Sequence, residues 1–189
     1  MSGIFSMWQP RYAERGVPTF PVDETKKPRI RSWQSVGLKG SAELANKFDD
    51  ANALGYVTGR RSNVTVLDID TTEENIAADA IQGHGQPAII TRTASGKFHH
   101  LYRYNGERRR IRPWSELPID LLGDNGYALA APSKTATGSY EIIHGHTTTW
   151  IVLPQWWALR QRRSCSHCHP TGPACERAMA ATARSGNAA

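Results

Sequence analysis

The segment Val64-Thr65-Val66-Leu67-Asp68-Ile69-Asp70 constrains this chain more than any other, because it is a branched apolar run that ends in two carboxylates. Such a run reads as a buried strand. Side chains alternate along a strand, so Asp68 and Asp70 project from one face while Ile69 points into the core. Carboxylates sharing a face repel each other, and a divalent cation relieves the repulsion. Hard Mg²⁺ or Mn²⁺ prefers oxygen ligands, usually one or two carboxylates with the rest from water and substrate phosphates. A plainer explanation weighs about equally for the pair alone: Asp70 caps the next helix and Asp68 is a solvated strand end.

A third carboxylate tips the balance. Ile119-Asp120-Leu121-Leu122 sets Asp120 on a strand among apolar neighbours, where an unpaired charge is costly unless the strand is an exposed hairpin edge. Phosphoryl transfer with two cations needs a ligand shared between the metals and another from a separate strand, which Asp68, Asp70 and Asp120 can supply. The segment Thr93-Ala94-Ser95-Gly96-Lys97-Phe98-His99-His100 adds a different chemistry. Its Ser95-Gly96 turn lets backbone amides approach phosphate oxygens, Lys97 brings a cation, and a strand histidine can hydrogen-bond a phosphate. A hairpin turn with an incidental histidine pair is the plainer reading.

The surrounding pattern mixes helix and strand. A short helix is expected near Trp8 to Arg15 and a strand near Pro18 to Val22, followed by a helix capped by Ser41 in which Ala42, Leu44, Ala45 and Phe48 recur to near Asp50. Strands follow at 53–58 and 63–69. Thr71 and Glu74 resemble a capping box opening a helix that the Gly83-His84-Gly85 turn stops. Further strands are expected at 88–92, 98–104, 118–122, 127–131 and 139–143, with Gly123-Asp124-Asn125-Gly126 joining the 118–122 and 127–131 strands as a hairpin. Trp150 to Arg160 reads as a closing helix with Trp156 and Trp157 available for packing. The class is α+β over about residues 1–160, with a tail at 161–189 rich in Arg, Ser, Cys, His and Ala.

A length of 189 residues suits one domain with a short appendage. Lys and Arg outnumber Asp and Glu by 23 to 17, a balance that suits a partner carrying phosphates. The longest apolar runs fall far short of a membrane span, and the N-terminus has no apolar core behind a basic end, so no membrane partner and a cytoplasmic site are expected. Arg108, Arg109, Arg110 and Arg112 form a basic cluster beside Trp114. Template phosphates can lie on the arginines and a base can stack on the tryptophan, or the run is a solvated loop. The three cysteines all lie near the C-terminus. An odd number without an export signal argues against a disulfide framework. Cys165, Cys168 and Cys175 with His167 or His169 can supply four ligands to Zn²⁺, although a second closely spaced pair is missing and free thiols in a disordered tail are the competing reading.

Taken in order, Asp68-Ile69-Asp70, Lys97-Phe98-His99 and Asp120 resemble the N-terminal domain of bifunctional DNA primase/polymerases, a branch of the archaeo-eukaryotic primase superfamily. The resemblance extends to Gly16-Val17-Pro18 with Pro21-Val22, Lys27-Pro28 leading to Trp33, Gly55 with Gly59, and Ala131-Pro132-Ser133 before Gly138-Ser139-Tyr140, over about residues 8–145. It implies an RRM-like catalytic sheet joined to a smaller α/β module, with the active site in the groove between them. Asp68, Asp70 and Asp120 would hold two Mg²⁺ or Mn²⁺ ions. His99, Ser95, Gly96 and Lys97 would grip the incoming dNTP or NTP, with Arg103 as a second phosphate contact and Ser133 and Lys134 as weaker candidates. Counting from Ser95-Gly96 selects His99 rather than His100 as the family histidine, and adjacent strand residues face opposite ways. Lys97 stands where the family commonly has a glycine. The implied activity is template-directed nucleotidyl transfer on single-stranded DNA in DNA replication, of a phage or plasmid among others, with unwinding left to a separate helicase or replication initiator. A catalytically inactive nucleic-acid-binding replication module is the alternative, and a metal-dependent nuclease a weaker one.

Overall fold

The computed structural model describes residues 2–147. The chain divides into two units, Met1–Trp157 and Ala158–Ala189, and the second lies outside the described residues, as do the expected helix at 150–160 and the Cys/His tail. In chain order the elements are α1 (Ile4–Ala13), β1 (Thr19–Val22), a 3₁₀ turn (Trp33–Ser35), α2 (Leu38–Lys47), β2 (Ala53–Val57), β3 (Val64–Ile69), α3 (Glu74–His84), β4 (Ile89–Arg92), β5 (Phe98–Arg103), β6 (Ile119–Leu122), β7 (Tyr127–Leu129), β8 (Lys134–Thr135), β9 (Gly138–Ser139) and β10 (Glu141–His144). The α+β class follows. No helix among the described residues is long and apolar enough to cross a membrane.

Strand β3 explains the architecture. It lies inside a five-stranded antiparallel sheet of order β10-β4-β5-β3-β6 and is flanked by β5 and β6. Its alternation sends Val64 and Val66 into one buried cluster and Leu67 and Ile69 into another. The first cluster joins Phe5 and Tyr12 of α1, Ala45 of α2 and Leu54 and Tyr56 of β2. In the second, Ala77 and Ala80 of α3 pack with Phe98, Tyr102 and Ile119. A strand covered on both faces has to be apolar almost throughout, as this one is. A second sheet, of order β1-β2-β7, stands apart in pairing from the first, and β8 and β9 form a small hairpin.

Three local expectations change. The expected hairpin of β6 and β7 is a crossover: β6 pairs with β3 and β7 with β2 in the other sheet. The Gly123–Gly126 turn is tight, with Gly126 N donating to Gly123 O at 3.2 Å, but turn chemistry is local and does not choose the strands' partners. Ser41 is not a cap. Helix α2 begins at Leu38 after Gly37, and the fully buried Ser41 hydroxyl accepts hydrogen bonds from Thr19 N at 3.0 Å and Gln9 Nε2 at 3.2 Å, tying α2 to β1 and α1. The capping box is also absent. Thr71 Oγ1 accepts from Glu73 N, so the helix starts after Glu73 and runs through Gly83 to end at Gly85, whose φ is +86°.

Two outcomes follow from this core. Replacing Ser41 with Ala leaves the buried Thr19 N–H without its acceptor, and urea unfolding should register a loss of about 1–3 kcal/mol; an unchanged midpoint and slope would refute the pin. His100 is 1% exposed on the face opposite the first cluster. Burial, reinforced by the charges of His99 and His84, pushes it down from 6.5 to about 4. The unfolded chain therefore takes up this proton first, so the stability is intact above the ordinary pKa and is lost as pH falls from 6.5 toward 4. Melting measured across that window should fall less steeply in His100→Leu than in the parent, by up to about 3 kcal/mol at the acid end, whereas parallel curves would dismiss His100 as the source.

Candidate active site

One row of side chains crosses the five-stranded sheet. Asp68 on β3 lies opposite His99 on β5 and opposite Asp120 on β6, and His99 in turn lies opposite Thr91 on β4. Directly opposed residues on neighbouring strands bring their Cβ atoms to about 4.5–5.5 Å, so the register alone gathers these groups. Asp70 follows one residue beyond the end of β3, where its N–H donates to Pro118 O at 2.7 Å. All of these side chains lie on the face that also carries Val64, Val66 and Leu101. Toward the aspartate end this face opens into a cleft of about 500 Å³. Asp68, Asp70, Asp120 and His99 line one side, and Lys26, Trp33 and Tyr127, the last on β7 of the other sheet, also line it.

Each carboxylate has a partner. His99 Nε2 stands 3.4 Å from Asp68 Oδ1, with 7% of the histidine side chain and 32% of the aspartate side chain exposed. Burial pushes the Asp68 carboxyl up, but the charge and hydrogen bond of His99, with Lys97 and Lys26 beyond, outweigh it and hold the group below the ordinary carboxylate range. Asp70 Oδ1 is ion-paired with Lys97 Nζ, and Arg112 Nη2 lies 3.7 Å from Asp70 Oδ2. Asp120 Oδ1 accepts from Arg112 N at 2.8 Å. Among the described residues no three acidic, histidine or cysteine groups form a ready-made metal cluster. The donor set nevertheless fits a hard divalent cation: carboxylate oxygens from two adjacent strands share one wet cleft, where water and phosphate can complete the coordination.

The turn between β4 and β5 supplies the rim. Thr93 N donates to Lys97 O, Gly96 N to Thr93 O and Lys97 N to Thr93 Oγ1, while Ser95 Oγ lies 3.2 Å from Thr93 Oγ1. Gly96 takes φ +80°, which a glycine adopts without strain. Ser95 and Lys97 face the cleft. So does His99, beside the buried Tyr140 at 5.9 Å between ring centroids, whereas His100 does not.

Other residues singled out in the sequence lie elsewhere. Arg103 shares the strand face of His99 but sits opposite Val64 at the far end of β5, outside the cleft lining. Ser133 is fully buried, and its hydroxyl accepts from Leu54 N and donates to Leu54 O, which makes it a pin for β2. Lys134 is exposed on β8. Of the arginines, Arg109 lines the cleft and Arg112 reaches two of its carboxylates, while Arg108 and Arg110 bridge to Asp124 and Leu121 through their backbones. Trp114 packs on the cluster of Leu67 and Ile69, with His84 at 5.1 Å, on the side of the sheet away from the cleft. Cys165, Cys168, His169 and Cys175 lie outside the described residues. Sequence reasoning gave no role to Lys26, Trp33, Tyr127 and Tyr140, whose position in the cleft depends on long-range packing.

No curated protein matches the chain. The order in which the acidic strand, the histidine strand and the second acidic strand enter this cleft is that of the resemblance drawn from the sequence, and a family model agrees over most of the length. Residues 9–156 match the model for the bifunctional DNA primase/polymerase N-terminal domain, and the chain belongs to that family.

Proposed function

We propose that this chain is an active DNA primase/polymerase, transferring nucleotides from dNTPs or NTPs to a 3′-hydroxyl on a single-stranded DNA template during DNA replication. The observation that carries the reading is the row Asp120, Asp68 and His99, in register on three adjacent strands and facing one cleft. In this reading the five-stranded sheet serves as the family's RRM-like catalytic sheet, and the three-stranded sheet with α1 and α2 as its smaller module. Asp68, Asp70 and Asp120 would hold two Mg²⁺ or Mn²⁺ ions, whose chemistry there is to lower the pKa of the attacking hydroxyl and to neutralise the triphosphate.

The chain's own residues bind and orient. Asp68 is held ionised at neutral pH by its cationic neighbours, and its carboxylate orients the His99 ring through Nε2. The His99 ring lines the cleft, where it can meet a phosphate oxygen of the incoming nucleotide. The Gly96 and Lys97 amides are spent on Thr93 within the turn, so Ser95, whose side chain faces the cleft, receives the phosphates, and Lys97, at Asp70, adds charge at the same rim. Arg109 and Arg112 at the cleft suit the phosphates of the strand being copied. Unwinding falls to a separate helicase or initiator.

Incubation of the full chain with single-stranded template, Mn²⁺ and labelled nucleotides should yield extended or newly primed product. Asp68→Ala should abolish it, and His99→Ala should reduce it by about a hundredfold or more. DNA binding by the parent without any synthesis would overturn the enzyme reading in favour of a binding module.

A further inference from the structure

The cleft holds a cation that no motif marks. Lys26 follows β1 in a loop with φ +70°, a left-handed backbone conformation that side-chain-bearing residues seldom take and that glycine or asparagine would take more easily. The loop is built to hold it there. Asp23 Oδ1 accepts from Thr25 N at 2.9 Å, Thr25 Oγ1 at 2.8 Å and Lys27 N at 2.8 Å, and Lys26 N donates to Asp23 O at 3.1 Å. From outside the loop, Tyr127 Oη donates to Lys26 O at 3.0 Å and Ala136 N to Glu24 O at 3.1 Å. Unfavourable backbone geometry persists where its surroundings over-determine it, and it gathers at ligand sites.

The side chain faces the cleft, with Nζ 6.0 Å from the centroid of the Tyr140 ring. Its charge is among those that lower Asp68. Lys97 is ion-paired with Asp70, but among the described residues no carboxylate lies within ion-pair distance of Lys26. An ammonium group with no hydrogen-bond or carboxylate partner among the described residues, at the lining of an open cleft, is matched to an anion brought in from solution. Its compact charge and rotatable donors suit phosphate oxygens. A glycine at this position would satisfy the loop and leave the cleft without that charge.

We infer that Lys26 is a phosphate-binding residue of the nucleotide site, contacting the phosphates of the incoming nucleoside triphosphate. The inference rests on the primase/polymerase reading and adds a contact from the loop after β1 to those from the β4–β5 turn. The same chemistry is offered by the phosphates of a DNA strand, so the test separates the two sources.

Isothermal titration of the full chain with dATP in Mg²⁺, and separately with a short oligothymidylate, supplies both arms. Lys26→Gly keeps the backbone conformation and removes the charge, and Lys26→Arg keeps the charge. Lys26→Gly should weaken dATP binding by about tenfold or more with little change in oligothymidylate affinity or in melting temperature, and Lys26→Arg should recover most of the loss. Parent-like dATP affinity in Lys26→Gly, or a loss confined to oligothymidylate, overturns the assignment while the primase/polymerase reading stands. Failure of the parent to bind dATP overturns the assignment and counts against the reading beneath it.

Discussion

The carboxylate of Asp124 holds together two of the three places where the described chain passes between its two larger sheets. One passage runs from β2 to β3 and the other from β6 to β7. Asp124 Oδ1 accepts from Arg60 N at 2.9 Å, and Oδ2 accepts from Arg60 Nη2 at 2.7 Å and Tyr104 Oη at 2.7 Å. Hydrogen bonds from Arg60 pull its pKa to about 2 against the opposing effect of burial. Thr58 completes the junction, its N–H donating to Gly126 O and its hydroxyl to Gly123 O. The backbones touch: a Cβ on Gly59 would lie 2.6 Å from Asp124 Cα and 2.8 Å from Asp124 N. With both crossovers fixed side by side, the spacing between the sheets is set, and Asn125 and Gly126 of the same turn line the cleft.

Within that frame β3 does two jobs. Its first residues must be apolar because both faces are covered, and its last must be polar because one face has come out from under the first cluster. Asp68 marks the change, continuing the face of Val64 and Val66 while remaining one-third exposed. A carboxylate so placed is costly unless paired, and His99 across the β3–β5 register supplies the pairing. The same bonds that secure the strand end therefore set the geometry of the site.

Much of this was legible because the informative features were periodic. Alternation along Val64 to Asp70 gives both the buried strand and the shared face of its aspartates, and counting from Ser95-Gly96 separates His99 from His100. What failed depends on long-range pairing. Gly123-Asp124-Asn125-Gly126 has the chemistry of a hairpin turn, but Thr58 and Arg60 hold it at a crossover. Ser41 has the chemistry of a cap, but its hydroxyl is used by Thr19 and Gln9. Arg103 lies on the correct face at the wrong end of its strand, and Trp114 serves packing. Lys26 and Tyr127 had no local signal, since each reaches the cleft from an element whose position is fixed by its sheet or loop partners.

The adjacent histidines show how such a sheet keeps its charge on one side. A single pleat puts His99 against Asp68 at the cleft and His100 beneath the sheet, on the side of Phe98 and Tyr102. There burial and the neighbouring histidines push it to about 4, so it is neutral near pH 7. Were His100 charged, an uncompensated cation would sit under the sheet one residue from the site, at a large cost in desolvation. Its neutrality leaves the field at the cleft to the groups that line it: three carboxylates faced by Lys26, Lys97 and Arg109. A cleft that carries both signs of charge can receive a ligand that is itself divided, anionic along its phosphates and neutral at its base.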